Sequence, residues 1–392
     1  MALPLFLTRS LVALVTGMLL ACGTVPLPAP DAPVAPVSTS APPPAEPLGL
    51  PDTVASVPPL LRGVSRWQPV AWSELPGFGD DALFEAWNAW LKSCERPGPV
   101  FAPLCPEVRR LSIGTGDEQR QWLLARLQPY RVESLQDGPV AGLLTAYFEP
   151  ELQGRRLPGA GFTVPLYRLP ADLGTRQPWF SRQQIDTDAA AKAALRGREI
   201  VYLDDPVQAM VLQIQGSGRV RVTEPDGSVR TVRLAYAGHN GHPYQSIGRW
   251  LLDQGELRDA TWPGIQAWLQ KNPQRVNELL WRNPRVVFFK EEALGEFDAV
   301  FGPKGAQGVP LTPGRSIAVD PQSIPYGTPV WLASQGPQIA LQRLVLAQDT
   351  GSAIRGAVRA DYFAGWGAAA GALAGRLKQP LQLWVLWPKA PP

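Results

Sequence analysis

The sequence predicts a mainly β protein with helices, of the α+β class, whose strands form a barrel. Short apolar runs broken by glycine and proline fill residues 140–240 and return from residue 285 onward. Apolar residues at helical spacing are confined to residues 80–130 and to a stretch near residues 247–280. Many short strands with turn signals between them favour a closed sheet.

The first residues of the sequence predict an export signal. Arg9 precedes an apolar run at residues 11–20 that is too short to span a bilayer, and LLAC at 19–22 ends the segment. We predict a signal peptide at residues 1–21 and, because LLAC resembles a bacterial lipobox, lipidation of Cys22. An ordinary cleaved signal is the alternative. Gly23 predicts sorting to the outer membrane of a Gram-negative bacterium, facing the periplasm.

Residues 22–51 predict an extended tether, since proline, alanine, valine and serine dominate and large apolar groups are scarce. The remaining body, about 340 residues, is long enough for two domains. A net charge of +3 without a basic run gives no indication of nucleic-acid binding. The 14 Trp, 8 Tyr and 12 Phe are compatible with a carbohydrate cleft.

Two helical segments are predicted between residues 80 and 130, and three more between 247 and 280. The predicted strands occupy residues 142–148, 164–168, 210–215, 218–222, 286–289, 328–332, 341–347 and 381–387. Residues 367–372, rich in glycine and alanine, predict a helix packed close to the barrel.

Cys94 and Cys105 are close in sequence and, in an oxidising compartment, predict one disulfide; two buried free thiols are the alternative. No metal or other cofactor is predicted. His239 and His242 are the only histidines, and the glycines and proline around them disfavour the helix that would bring them together.

Three aspartates near the C-terminus, Asp320, Asp349 and Asp361, each follow a short apolar run and precede a turn former or aromatic residues. This pattern predicts strand ends that bring acids to a common place. Asp361 stands among Ala360 and aromatic residues, and burial there would raise its pKa. Asp349 precedes Thr350 and Gly351, which indicates a polar turn where a carboxylate stays ionised.

Several segments together resemble the membrane-bound lytic murein transglycosylase A family, and the region from residue 316 resembles its three-aspartate domain. The matching segments are 144–150 (LTAYFEP), 164–167 (VPLY), 213–218 (QIQGSG), 236–248 (YAGHNGHPYQSIG) and 283–289 (NPRVVFF). The family form has glycine where this chain has Ala146.

The resemblance implies a double-psi β-barrel with an inserted second β-rich domain and a substrate groove between them. We therefore expect the barrel domain at 52–139 plus 286–392, with the three-aspartate region at about 310–388, and the inserted domain at 140–285. The implied activity cleaves the β-1,4 bond between N-acetylmuramic acid and N-acetylglucosamine in peptidoglycan and leaves 1,6-anhydromuramic ends. The single acid and base of this reaction would be Asp361, and Asp349 would support it electrostatically or orient it.

Polar and aromatic residues of the inserted domain are the expected substrate contacts, together with Asp320. Those of the inserted domain are Tyr147, Gln215, Gly216, Ser217, Tyr236 and Asn240. The alternative for Asp320 is that it caps a turn. The alternatives are core packing for the aromatic residues and turn formation for the glycines.

Two other functions stay open from the sequence: a non-catalytic peptidoglycan-binding lipoprotein, and a hydrolase of the same barrel type in which Asp349 activates water. The expected partners are peptidoglycan strands and the outer membrane, with cell-wall synthases and hydrolases as further candidates. We expect a monomer, and the sequence leaves exo against endo cleavage open.

Overall fold

The computed structural model describes residues 50–52 and 57–389. The predicted signal peptide, Cys22 and nearly all of the predicted tether lie outside these residues. The strands are β1 (Leu60–Arg62), β2 (Ser65–Pro69), β3 (Leu127–Ser134), β4 (Gly142–Glu149), β5 (Glu151–Arg155), β6 (Val164–Tyr167), β7 (Glu199–Leu203), β8 (Ser217–Thr223), β9 (Val229–His239), β10 (Val287–Ala293), β11 (Ser316–Val319), β12 (Pro329–Gln335), β13 (Ala340–Asp349), β14 (Arg359–Trp366) and β15 (Lys378–Pro388).

Short helices connect and cover the two sheets. They are α1 (Leu83–Ser93), α2 (Cys105–Arg110), α3 (Gly116–Arg126), α4 (Arg182–Thr187), α5 (Ala189–Leu195), α6 (Pro206–Gln215), α7 (Ile247–Asp253), α8 (Trp262–Lys271), α9 (Val276–Trp281), α10 (Glu296–Ala299) and α11 (Gly367–Ala374). None of the helices in the described ranges has the length and apolar character needed to cross a membrane.

Six strands close into a barrel. Their order is β4, β14, β11, β13, β12 and β15, and β15 pairs back onto β4. Gly142, at the start of β4, is required for this closure, because a Cβ at that position would lie 1.8 Å from the carbonyl oxygen of Val358. Alternate side chains of these strands fill the interior, so the predicted double-psi barrel with an inserted β domain is confirmed.

The second sheet has six strands in the order β10, β9, β8, β5, β7 and β6. The division of strands between the two sheets differs from the predicted domain limits of 140 and 285. β4 pairs with the barrel strands β14 and β15, whereas β10 pairs with β9 of the inserted sheet. The chain therefore crosses from barrel to insert at Glu149–Glu151, where Pro150 separates β4 from β5.

The predicted strand at residues 210–215 is wrong, because this segment is the second half of α6. Asp205 caps the helix by accepting a hydrogen bond from the amide of Val207 at 2.7 Å, and Pro206 is its first residue. Gly216 ends it in the left-handed conformation with φ of 83°. The helix buries Ala209, Met210 and Leu212, a spacing too short to distinguish a helix from a strand by periodicity.

The helix α1 covers the outside of the barrel and is fixed to β13 by a buried amide. Gln348 donates 2.8 Å hydrogen bonds to the carbonyl of Ala89 and to the hydroxyl of Ser93. At the end of the same helix, Cys94 and Cys105 form a disulfide that joins it to α2. Gln348 precedes Asp349, so the helix also fixes the backbone that carries this carboxyl group.

Candidate active site

Pairing of the barrel strands places Asp349 and Asp361 in one row across the sheet. Ala318 on β11 pairs with Asp349 on β13 at one side and with Asp361 on β14 at the other. Asp361 in turn pairs with Thr145 on β4. Paired residues project from the same face, so the two carboxyl groups share a face and their Cα atoms are two strand spacings, roughly 10 Å, apart.

Asp361 lies on the outer face of the barrel. Ala360 and Tyr362, its neighbours in sequence, point the other way, into the barrel interior, because side chains alternate along a strand. The hydroxyl of Thr145 donates a hydrogen bond to Oδ1 of Asp361. The guanidinium of Arg359, two residues earlier on β14, donates to the same Thr145 oxygen at 2.8 Å.

Asp349 is held by two donors from other parts of the chain. The hydroxyl of Tyr147 on β4 donates to Oδ2 at 2.9 Å, and the amide of Ala306 donates to Oδ1 at 2.9 Å. The Tyr147 ring packs against Phe363, with 5.2 Å between the ring centroids. Tyr147 thus lies beside the row of acids and contacts Asp349 directly.

The pKa values of both carboxyl groups are raised, chiefly by burial. The pKa of Asp349 rises to about 6, although hydrogen bonds from Thr350, Ala306 and Tyr147 oppose the rise. Burial raises the pKa of Asp361 as well, opposed by the Thr145 hydrogen bond and by the charge of Arg359. The expectation that Asp349 stands in a polar turn is wrong: it ends a strand, and burial outweighs its hydrogen bonds.

A buried ion cluster connects the barrel to the inserted sheet. Glu149, at the end of β4, is fully buried and binds Arg219 at 2.8 Å and Arg233 at 2.7 Å. Carbonyl oxygens of Ala299 and Phe301 accept further hydrogen bonds from these arginines. The cluster fixes the segment after β10, from which the loop carrying Ala306 continues to the Asp349 carboxyl.

Four of the predicted substrate contacts lie at the end of the inserted sheet that meets β4. Gln215 accepts a 3.1 Å hydrogen bond from the amide of Phe148, adjacent to Tyr147. Gly216 and Ser217 follow directly, and Ser217 pairs with Ala235 on β9, next to Tyr236. The Tyr236 side chain is 48% exposed, which leaves its ring free for a ligand.

Asn240 and Asp320 have structural positions instead. The Asn240 amide group donates to the carbonyls of Phe180 and Pro284 and accepts from the amide of Val286, so its polar atoms are occupied by backbone. The buried Asp320 carboxyl accepts from the amides of Gln322 at 3.0 Å and Gly356 at 2.9 Å. It caps the turns that follow β11 and precede β14, as the alternative reading of the sequence holds.

A cavity of about 230 Å³ lies between helices of the insert and α11. Its lining includes Phe148, Gln215, Tyr244, Trp262 and Gly371. Phe148 alternates with Tyr147 along β4, so this cavity is on the opposite side of β4 from the two acids. Within the described ranges, no cluster of three or more His, Cys, Asp or Glu is arranged to hold a metal ion.

Comparison with known families agrees with this arrangement. Residues 143–290 match the model of the MltA specific insert domain, and residues 315–387 match the 3D domain. The membrane-bound lytic murein transglycosylase A of Vibrio cholerae is 30% identical over 301 residues, which are 73% of this chain and 76% of the relative. The chain belongs to the membrane-bound lytic murein transglycosylase A family.

Other family members show the same relationship. The Escherichia coli enzyme of that name is 35% identical over 254 residues, 62% of this chain, and the match spans 64% of the relative's length. A lytic transglycosylase structure, LtgG of Burkholderia pseudomallei, is 44% identical with a TM-score of 0.56, covering 87% of this chain and 100% of that one. Escherichia coli MltA with bound chitohexaose is 25% identical with a TM-score of 0.65, covering 87% and 95%.

The structure adds site residues that the sequence interpretation did not single out. Thr145 lies inside a segment that resembles the family, but a lone threonine in a strand gives no sign of a role. Arg359 is two residues before Asp361, and this spacing on a strand is the one available signal that both share a face. Glu149 and the Ala306 amide act through contacts distant in sequence, which no local pattern predicts.

Replacing Asp349 with Asn should increase stability at neutral pH more than at acid pH. In the wild type the unfolded carboxyl ionises near its ordinary pKa, whereas the folded one keeps its proton until about pH 6. The folded state therefore binds more protons in this window, and wild-type stability falls as the pH rises, by up to about 3 kcal/mol. Denaturant unfolding of both proteins between pH 4 and 7.5 measures the difference.

The advantage of Asp349→Asn should grow up to about pH 6.5 and then level off. Asp253→Asn, at an exposed ion pair with Arg249, is the matched control and should show no such growth. A difference between Asp349→Asn and the wild type that does not change with pH would show that the carboxyl is not destabilised by burial.

Proposed function

We propose that this protein is a lytic transglycosylase that cleaves the β-1,4 bond between N-acetylmuramic acid and N-acetylglucosamine in peptidoglycan. The observation that carries the proposal is the row of two half-buried carboxyl groups with raised pKa values on one face of the barrel. A raised pKa favours the protonated form, from which a carboxyl group can donate its proton to a leaving oxygen. The names of the family relatives and the chitohexaose bound to one of them favour a glycan as the substrate.

In the proposed reaction Asp361 acts first as acid and then as base. Its proton goes to the glycosidic oxygen as the bond from that oxygen to C1 of N-acetylmuramic acid breaks. The C6 hydroxyl of the same sugar forms the new bond to C1, and its proton passes to the Asp361 carboxylate. The products are a 1,6-anhydromuramic end and a free 4-hydroxyl on N-acetylglucosamine, and no water is consumed.

Asp349 supplies negative charge beside the reacting sugar. With a pKa of about 6 it is mostly ionised above neutral pH, where it stabilises the positive charge that develops on the sugar ring. The hydrogen bonds from Tyr147 and Ala306 fix the direction of this carboxyl. Its place one strand beyond Ala318 lets it act on the same sugar as Asp361 without sharing a proton with it.

The glycan is proposed to lie between the barrel face that carries the acids and the nearby end of the inserted sheet. Tyr236 exposes its ring at this end of the sheet, and Gly216 lies close to it along β8 and β9. An exposed aromatic ring stacks on a sugar face, and backbone groups at a glycine can bind N-acetyl and hydroxyl groups. Gln215 and Ser217 are left out, because Gln215 lines the cavity on the other side of β4 and Ser217 is buried. Asn240 and Asp320 are left out of the proposed contacts because their polar atoms already bind the backbone.

The protein is proposed to be anchored by lipid at Cys22 on the periplasmic face of the outer membrane. The lipobox-like segment at residues 19–22 supports this location, as does the membrane-bound character in the names of the relatives. The proline-rich residues after Cys22 would let the catalytic domain reach the peptidoglycan layer.

Digestion of purified peptidoglycan is expected to release fragments with anhydromuramic ends. Because the sugar's own hydroxyl replaces water, these fragments are lighter by one water than hydrolysed ones, and mass spectrometry separates the two. Reducing ends alone would indicate a hydrolase in which Asp349 activates water. Binding without any solubilised product would indicate a non-catalytic peptidoglycan-binding protein.

Asp361→Asn should lower turnover by about 10²–10⁴-fold or more while glycan binding survives, because the amide keeps the shape and loses the transferable proton. Product release and pull-down with insoluble peptidoglycan measure the two properties. Asp253→Asn serves as the control and should turn over at the wild-type rate. Substantial residual activity in Asp361→Asn would move the acid and base role to Asp349.

Cys22→Ala should move the protein from the membrane fraction to the soluble periplasmic fraction, since lipidation requires the thiol. Cell fractionation followed by immunoblotting measures the distribution. Substituting Cys94 and Cys105 together leaves Cys22 intact and should keep the protein in the membrane fraction. Membrane attachment of the Cys22→Ala variant would contradict lipid anchoring.

A further inference from the structure

Arg359 is connected to the proposed acid, Asp361, by hydrogen bonds through the hydroxyl of Thr145. It lies on the same face of β14 as Asp361, and it pairs with Leu143 on β4 while Asp361 pairs with Thr145. Its guanidinium donates to the carbonyls of Leu143 and Ala360 and, at 2.8 Å, to the hydroxyl oxygen of Thr145. Asp361 is the acid whose charge raises the pKa of Arg359, against burial, which lowers it.

These hydrogen bonds have only one consistent direction. A guanidinium has donors and no acceptor, so Thr145 accepts from Arg359 and cannot return its own proton there. The Thr145 hydroxyl therefore donates to Oδ1 of Asp361, the atom it contacts. When Asp361 is protonated, its acidic proton is on Oδ2, because Oδ1 already accepts the hydrogen bond from Thr145.

We propose that Arg359 is a positioning residue which, acting through Thr145, keeps the transferable proton of Asp361 on its second carboxyl oxygen, Oδ2. This inference rests on the proposed function, because it assumes that Asp361 donates a proton to the glycan. Arg359 itself does not touch the substrate in this role. It fixes which oxygen faces the leaving group and supplies a positive charge that favours the ionised state of the acid.

Charged and titratable groups surround Asp361 from each neighbouring element. Arg359 lies on its own strand, Tyr147 on β4 and Asp349 on β13, while β11 contributes the uncharged Ala318. Beyond Thr145, Lys378 on β15 pairs with that threonine and is exposed. Of these groups, Arg359 is the one whose charge lowers the pKa of Asp361.

The test measures kcat, KM and the pH dependence of kcat on soluble glycan strands for Arg359→Met, Arg359→Lys and Arg359→Gln. In Arg359→Met, kcat should fall about 10-fold or more with KM nearly unchanged. The alkaline limb of the profile of kcat against pH should move to higher pH by about half a unit or more, because the positive charge that lowers the pKa of Asp361 is gone. Arg359→Lys keeps charge and donor, so its limb should stay in place and its kcat should largely recover. Arg359→Gln keeps a donor but no charge, so its limb should move while kcat falls less than in Arg359→Met.

Thr145 variants test whether Arg359 acts through this hydroxyl. Thr145→Ser keeps the hydroxyl and should stay near the wild type, whereas Thr145→Val should lose kcat as Arg359→Met does. The double variant of Thr145→Val and Arg359→Met should have a kcat within about threefold of Thr145→Val alone, since both changes break one connection. Independent, multiplied losses in the double variant would overturn the relay.

Arg376→Met, at an exposed arginine near α11, is the control for removing a positive charge from the barrel and should change neither kcat nor the limb. If Arg359→Met does not fold, the comparison of Arg359→Gln with Arg359→Lys decides. Equal pH limbs in those two variants, or a wild-type profile in Arg359→Met, would overturn the role of Arg359. Failure of the proposed function is separable, because it appears in the wild type as missing anhydromuramic products or in Asp361→Asn as retained turnover.

Discussion

The site depends on the position of β11 between β13 and β14. This short strand runs parallel to β13 and antiparallel to β14, and its Ala318 is paired on both sides with an acid. A shift of either pairing by one residue would turn one carboxyl into the barrel interior. Ile317 and Val319, both fully buried in the barrel core, fix the register of β11 against β14. Against β13 the register shifts between Ile317, which pairs with Ala347, and Ala318, which pairs with Asp349. This local irregularity brings the Asp349 carboxyl into the same row as Asp361.

The connection between barrel and insert depends on charge. Glu149 is fully buried between Arg219 and Arg233, and the guanidinium of Arg219 also lies 3.8 Å from the ring centre of Trp366 on β14. Two cations and one anion leave an excess positive charge, and backbone carbonyls of the segment after β10 accept hydrogen bonds from both guanidinium groups. Removing Glu149 would leave two arginines buried without their anion, a change that costs about 3–5 kcal/mol in comparable pairs. The cluster therefore holds the inserted sheet and β4 in a fixed relation.

Much of this fold follows from patterns within short stretches of sequence. The strands with β-branched and aromatic runs, such as β10 and β15, and the helices with apolar faces, such as α1, occur where the sequence predicts them. The segment at residues 210–215 in α6 does not, because its four apolar residues before a glycine fit either a strand or a helix, and the capping Asp205 lies outside the apolar run. At the site, the sequence identifies the two acids, whereas Thr145 and Arg359 become recognisable only through strand pairing. The burial of Asp349 is not visible in the sequence, because a polar neighbour in sequence says little about burial in space.

The 3D segment at residues 315–387 contains both acids and five of the six barrel strands, yet it does not contain β4. Thr145 and Tyr147 contact acids that are 216 and 202 residues away in the chain. Closing so large a separation has an entropic cost, and contacts between residues distant in sequence slow folding. Asp361 reaches Thr145, and Asp349 reaches Tyr147, only when β4 has paired with β14 and the barrel has closed. A newly made chain would thus lack these two hydrogen bonds to its acids until its barrel has closed.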